Sequence, residues 1–250
     1  MSARALEQTR DVARQLNDVI ADVGARLAAG MSTRDVDRMI VDGLARHELE
    51  PAMRGFNGFP STSAISIDEQ VLHVPPSDRR IAAGNLVTIQ SIARRDLGIA
   101  SLGWTFAVGS VGDEKARLLS TSIDALAAAK ASIRPNARTG DVGAAIQRRV
   151  EASGFSVIRD FVGYAIGQTA IEPPQLPCYG VPRRGQLLKR GMVLHVHVIS
   201  AAGDWRIELG RDDWSVTTCD LRPSALVTAM VLVAGDHAEA LTSLGAIGSA

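Results

Sequence analysis

Thr33-Arg-Asp-Val-Asp-Arg-Met-Ile40 returns later in the chain as Thr139-Gly-Asp-Val-Gly-Ala-Ala-Ile146, with threonine, aspartate, valine and isoleucine in the same relative places. Each copy opens a helix that follows a longer one. The first long helix is expected over residues 4–29, where Leu16, Val19, Val23 and Leu27 recur at three- and four-residue spacing and share a face. Ser32 and Asp35 then form a variant capping box, and Val36, Met39, Ile40 and Leu44 supply the apolar side of the second helix. In the second half the helical period runs over Glu114–Ala131 and again over Asp141–Ala152. Strand-like segments follow each pair. A repeated helix–helix–strand order implies an internal duplication. The expectation is an α+β fold in one domain, residues 1–250, with halves of about 1–110 and 111–250. Their strands form a central antiparallel sheet, their helices lie outside, and the groove between them is the expected site.

In the first half, Ala64–Ile67 and Val71–Val74 flank Asp68-Glu-Gln70 and read as a hairpin, with Leu86–Ile92 and Trp104–Val108 as further strands. In the second half, Val193–Ser200 alternates, placing Leu194, Val196 and Val198 on one face and His195 and His197 on the other. Trp205–Leu209 and Trp214–Thr218 read as a hairpin around Gly210-Arg-Asp-Asp213, and Ala225–Val233 as a strand buried on both faces. After Gly235 an edge segment and then a loose end are expected.

Composition narrows the function. The chain has 250 residues, 46% hydrophobic and 22% charged, which supports a sizeable core. Lys+Arg and Asp+Glu both total 27, which argues against nucleic acid as the main partner. The basic residues Arg183, Arg184, Lys189 and Arg190 read as a solvated loop. Cys178 and Cys219 give no disulfide framework and read as buried free thiols in a reducing compartment. The N-terminus has no apolar signal core, and no run reaches about 18 apolar residues, so a cytoplasmic protein with no membrane partner is expected.

Three of the five histidines carry candidate chemistry; His47 and His237 lie in polar surroundings and read as surface residues. His73 ends a strand ahead of Pro75-Pro76, which would hold its ring in one place, and its ordinary pKa suits acid–base work. His195 and His197 stand two apart on a strand, so both rings face one side. That spacing reads as a metal-ligand pair or as a hydrogen-bonded pocket pair, and spacing alone favours the second. Glu172 lies ahead of Pro173-Pro174 in what reads as a loop after the glycine-bracketed turn Gly163-Tyr-Ala-Ile-Gly167. There it lines a pocket or faces water.

Several ordered blocks are similar to those of the methionine aminopeptidase family. They include Phe56-Asn-Gly-Phe-Pro60, Ser63–Ile67, the stretch from Glu69 through His73 to Pro76, Gly143–Gln147, Val150–Ile158, Gly163–Gly167 with Glu172-Pro173, Leu188–Met192, and Asp213-Trp214 with Ser224-Ala225. The resemblance spans nearly the whole chain and implies the pita-bread fold with its pseudo-twofold sheet. That family holds two metals on two aspartates, a histidine and two glutamates. The resemblance puts Gln90 and Ser101 at the aspartate positions, Tyr164 at the histidine, and His197 and Thr228 at the glutamates. Ile171 stands where the family has a second substrate-facing histidine, and His73 keeps the first. A metal pair needs anionic oxygens, which this set lacks. Creatinase, a metal-free relative of that family, works with a histidine matching His73, but its acidic partners match Ser101 and Thr228.

The leading expectation is a metal-independent enzyme without cofactor, acting on a small organic molecule by acid–base chemistry such as cyclisation, isomerisation, elimination or C–N cleavage, in the making of a specialised metabolite. His73, Tyr164, His195 and His197 are the catalytic candidates. Gln90, Ser101, Ile171, Glu172, Thr228, Phe56, Phe59 and Trp214 are the substrate-binding ones, and the protein is expected as a monomer or homodimer. The alternatives are an inactive pseudo-peptidase that binds a partner and a single-metal enzyme using the His195/His197 pair.

Overall fold

The repeated motif builds the same corner twice. The computed structural model describes residues 1–244. Helix α2 (Thr33–Arg46) and helix α4 (Thr139–Glu151) both start at the repeated threonine. The Thr33 amide donates to the Arg79 carbonyl at 3.0 Å, and the Thr139 amide to the Gln186 carbonyl at 2.9 Å. One residue on, Arg34 donates to Ser77 and Gly140 to Arg184, both at 3.0 Å. The repeated aspartate caps each helix: Asp35 accepts the Ser32 amide and Asp141 the Arg138 amide, each at 2.8 Å. At each helix start the first two helical amides are thus paired across the fold and the amide before them is paired locally by the aspartate.

The other helices are α1 (Ala3–Ala25) and α3 (Asp113–Ser132). Helix α1 ends short of residue 29. The chain bends there to Gly30, at φ 92°, so that Gly30 and Met31 exchange backbone bonds with Ile81. The strands are β1 (Glu50–Pro51), β2 (Ser63–Ile67), β3 (Gln70–Leu72), β4 (Leu86–Arg95), β5 (Gly98–Ala107), β6 (Ser156–Val157), β7 (Val162–Ile166), β8 (Glu172–Pro177), β9 (Val193–Ala201), β10 (Ile207–Leu209), β11 (Val216–Thr218), β12 (Ser224–Val233) and β13 (Ala238–Ala240). All ladders are antiparallel. In the first half β4 pairs β1, β2 and β5. In the second the order is β13-β12-β9-β7-β8, with β6 also on β9, and a small β10-β11-β3 sheet joins the halves. Helix α1 packs on β4 and β5 and α2 on β2, while α3 covers β9 and β12 and α4 packs on β6 and β8. The expected α+β architecture, antiparallel sheets inside and helices outside, is present.

Several expectations change. Residues 64–67 and 71–74 do not form a ladder with each other: β2 pairs β4 and β3 pairs β11, leaving one bond from the Ile65 amide to the Val74 carbonyl at 2.9 Å. Asp68 explains the parting. Its carboxylate accepts from the Leu86 amide at 2.8 Å and Asn85 Nδ2 at 2.6 Å, and meets Lys115 at 2.7 Å, tying the turn to the start of β4. Gly163–Ile166 is not a turn but lies along β7, and Gly167 is the first residue past it. A Cβ on Gly163 would sit 2.4 Å from the His195 carbonyl oxygen, so the glycine admits a close neighbouring strand. Glu172 is accordingly the first residue of β8, opposite Ala165. Cys178 is buried, but Cys219 is exposed at the end of β11. The 183–190 loop is exposed except Leu188, as a solvated loop should be. The β10/β11 hairpin forms with shorter strands than expected, and all ten residues of β12 are buried. The edge segment after Gly235 is β13, and the expected loose end falls partly on residues 245–250, outside the described residues.

The two large sheets meet at β5 and β12 without a backbone ladder; side chains stitch them. Thr105 Oγ1 donates to the Leu226 carbonyl and accepts from the Leu226 amide, both at 2.9 Å. Its one proton is then spent, so Thr88 is the donor in their 2.7 Å contact. Thr105→Val keeps the shape and leaves Leu226 and Thr88 without that partner. It is expected to lower the unfolding free energy by at least about 2 kcal/mol, since each orphaned buried polar group costs about 1–3 kcal/mol. Chemical denaturation measures this, and a loss below about 0.5 kcal/mol would show that the stitch contributes little beyond a weak net hydrogen bond.

Candidate functional site

The seam between the sheets opens into a cavity of about 300 Å³. Ten of the twelve candidate residues line it: His73, Gln90, Ser101, Tyr164, His195, His197, Phe56, Phe59, Ile171 and Trp214. Thr228 and Glu172 do not. Thr228 is buried behind the histidines, and Glu172 turns to its own loop, where it accepts from the Thr169 amide at 2.9 Å.

Register assembles the inner wall. Strand β7 sets Tyr164 opposite His195, β12 sets Thr228 opposite His197, and β4 sets Gln90 opposite Gly103 with Ile92 opposite Ser101. The two histidines bond to each other, His197 Nε2 to His195 Nδ1, at 2.9 Å, and their ring centroids lie 4.3 Å apart. His195 Nε2 contacts Thr228 Oγ1 at 2.9 Å, and that hydroxyl accepts the Gly103 amide at 2.8 Å. The Tyr164 ring stands edge-on to both, at 5.3 and 5.2 Å. Of the two readings of the His-x-His spacing, the geometry is that of a hydrogen-bonded pocket pair.

His73 follows β3 in the left-handed region, φ 58°. Its amide donates to Gln90 Oε1 at 3.3 Å, and its ring packs edge-on to Phe161 at 5.4 Å. Histidine tolerates that backbone region better than most residues, although it still costs free energy. Burial disfavours charge throughout this wall. It lowers His73 to about 4 and His197 to about 3, the latter helped by the nearby His73, and it lowers His195 well below the ordinary range. Burial also raises the Tyr164 phenol, partly opposed by the nearby Ser101 side chain. At neutral pH all three histidines are therefore uncharged and the phenol keeps its proton.

The outer wall is apolar. Phe59 and Trp214 meet edge to face at 5.2 Å and pack with Met53 and Ile92, while Phe56 and Ile171 keep substantial exposure. Sequence reading missed Met53, Ile92, Asp160 and Phe161 on this wall. Taking Gly163–Gly167 for a turn hid the last two, because the residues leading into an unrecognised strand had no assigned place.

As a home for two divalent cations the donor set does not fit. Such a pair needs several anionic oxygens. Among the described residues the only carboxylate on the wall is that of Asp160, which is exposed; the inner donors are neutral. Among the described residues no group of three or more His, Cys, Asp or Glu side chains could hold an ion. Both ring nitrogens of His195 are already engaged.

Comparison with known proteins sets this site in context. The profile of Metallopeptidase family M24 matches residues 7–230. The chain is 30% identical to methionine aminopeptidase 1 of Bacillus subtilis over 217 residues, 87% of this chain and 88% of that protein. It is 33% identical to methionine aminopeptidase B of Synechocystis over 248 residues, 97% and 90% of the two chains. The crystal structure of methionine aminopeptidase from Thermotoga maritima aligns with a TM-score of 0.95 at 28% identity, over 98% of each chain. The match runs through both halves and every strand that lines the cavity, and the chain belongs to metallopeptidase family M24.

Proposed function

We propose that this protein is a metal-independent enzyme that works on a small organic molecule by acid–base chemistry. The observation that carries the reading is an inner wall of uncharged, hydrogen-bonding side chains in a family named for metallopeptidases. His73 is the base or acid. It lines the cavity, and its ring forms no hydrogen bond among the described residues. Tyr164 and His197 donate hydrogen bonds, His195 positions His197, and Gln90 holds the backbone of His73. Ser101 orients polar substrate groups, while Phe56, Phe59, Ile171 and Trp214 hold an apolar portion. Cyclisation, isomerisation, elimination and C–N cleavage all use such a set. A decayed pocket fills with aliphatic side chains, whereas this one keeps polar groups at every position the resemblance assigns to a ligand. No helix among the described residues is long and apolar enough to cross a membrane.

Two measurements test the reading. Protein stripped with chelator and then supplied with Co²⁺, Mn²⁺ or Zn²⁺ is expected to release no N-terminal methionine from short peptides; metal-restored hydrolysis would refute the proposal. On the true substrate, His73→Ala is expected to lower kcat/KM by about 10²- to 10⁴-fold, the usual reach of one acid–base group.

Neutral burial also fixes the sign of a pH effect. The unfolded chain carries histidines that titrate near 6.5, and the folded chain holds them at about 4 or lower. Between those values the unfolded chain binds protons that the folded chain refuses. Stability is therefore complete above pH 6.5 and falls as the pH drops toward 4, by up to about 1.4 kcal/mol per unit for each histidine. Depressed carboxylates such as Asp35, at about 2, act only below their ordinary value of 3.8. Urea unfolding from pH 7 to 4 is expected to show this slope and His73→Asn to lessen it; a flat profile would mean the rings titrate normally.

A further inference from the structure

We infer that Thr228 sets the direction of a proton chain through His195 and His197, so that this wall offers the cavity an N–H donor, and that the group received there is an uncharged acceptor such as a carbonyl oxygen.

A threonine hydroxyl has one proton and two lone pairs. At Thr228, buried at 1% exposure, one lone pair accepts the Gly103 amide at 2.8 Å. The other contact of the hydroxyl is His195 Nε2 at 2.9 Å, and no third partner stands within reach among the described residues. If His195 carried its proton on Nε2, the hydroxyl would accept twice and its own proton would be orphaned in a dry site. If Thr228 donates instead, its proton and both contacts are used, and the only N–H left without a partner among the described residues is the one on His197, whose ring lines the cavity. The second arrangement is favoured by about 5- to 150-fold, which is the 1–3 kcal/mol cost of an orphaned buried donor at 1.4 kcal/mol per decade.

The rest follows from neutrality. A neutral imidazole carries one proton, so His195 acceptance at Nε2 places its proton on Nδ1. That N–H donates to His197 Nε2 at 2.9 Å, which in turn places the His197 proton on Nδ1. His197 Nδ1 has no partner among the described residues, and its ring lines the cavity. His197 is thus a donor in the resting protein, and His73 is left as the base. Tyr164, protonated beside both rings, is a second donor.

Both donors suit an acceptor, and among the described residues no lysine or arginine lines the cavity to neutralise an anion. Carboxylates and phosphates are disfavoured; a ketone, ester or amide carbonyl on an apolar body fits. The substrate class rests on the acid–base reading of the cavity proposed above, whereas the proton order does not.

Long-range ¹H–¹⁵N NMR of labelled, substrate-free protein reads the order directly. Both His195 and His197 are expected as Nδ1–H tautomers in the wild type and in Thr228→Ser. In Thr228→Val the preference is lost, and the Nε2–H form of His197 rises by about 5- to 150-fold relative to Nδ1–H. Nε2–H tautomers in the wild type, or an order unmoved by Thr228→Val in a folded variant, would overturn the proton chain. If the valine variant does not fold, the wild-type and serine spectra still decide it. Acetophenone and benzoate then probe the class: acetophenone is expected to shift the His197 Nδ1–H signal and benzoate to leave it. The reverse preference would overturn the substrate class. Metal-restored peptide hydrolysis together with Nδ1–H tautomers would defeat the enzymatic reading and leave the proton order standing.

Discussion

The seam between β5 and β12 is the constraint on which the rest of the molecule depends. Two antiparallel sheets abut there with no backbone ladder between them, so their alignment rests on side chains. Thr105 closes the seam at one point by using its hydroxyl in both directions against one residue, Leu226. Two residues further along each strand, the Gly103 amide bonds the Thr228 hydroxyl. The second contact is structural and chemical at once: it joins the sheets, and it fixes the first member of a hydrogen-bonded row that ends at the cavity. A buried polar row of this kind is stabilising only when every member is satisfied.

That row gives the site its character. In low-dielectric surroundings an imidazolium is costly, so His195 and His197 remain neutral and use their nitrogens on each other and on Thr228. Each nitrogen occupied in this way is one fewer available to a cation. The same burial keeps the Tyr164 phenol protonated. His73, outside the row, is held by other means: a left-handed backbone, the Gln90 carbonyl and the face of Phe161. The cavity therefore has on one side a histidine whose ring nitrogens have no partner among the described residues, donors on another, and an apolar outer wall at Phe59 and Trp214.

Much of this was legible in the sequence, for reasons that can be named. The Thr33 and Thr139 motifs were readable because capping is local: an aspartate two residues after the first helical residue bonds a nearby amide wherever it occurs. Period-two alternation placed His195 and His197 on one face. What could not be read was pairing between distant segments. Asp68 ties its turn to β4 rather than letting β2 and β3 pair, and nothing near Asp68 in the chain announces that. Gly163 looked like a turn glycine because its real reason, the His195 carbonyl beside it, lies on another strand. Glu172 fell out of the cavity with that reassignment. Thr228 was placed at the site, but its role behind the histidines depends on a contact with Gly103 across the seam.

The central claim is that this wall works through neutral hydrogen bonds instead of bound cations. Calorimetric titration of chelator-stripped protein with Co²⁺ and with Mn²⁺ at neutral pH tests it most directly. The account expects no saturable binding at the cavity and no change in heat when His197 is replaced by alanine. Saturable uptake of two equivalents, abolished by that replacement, would contradict it.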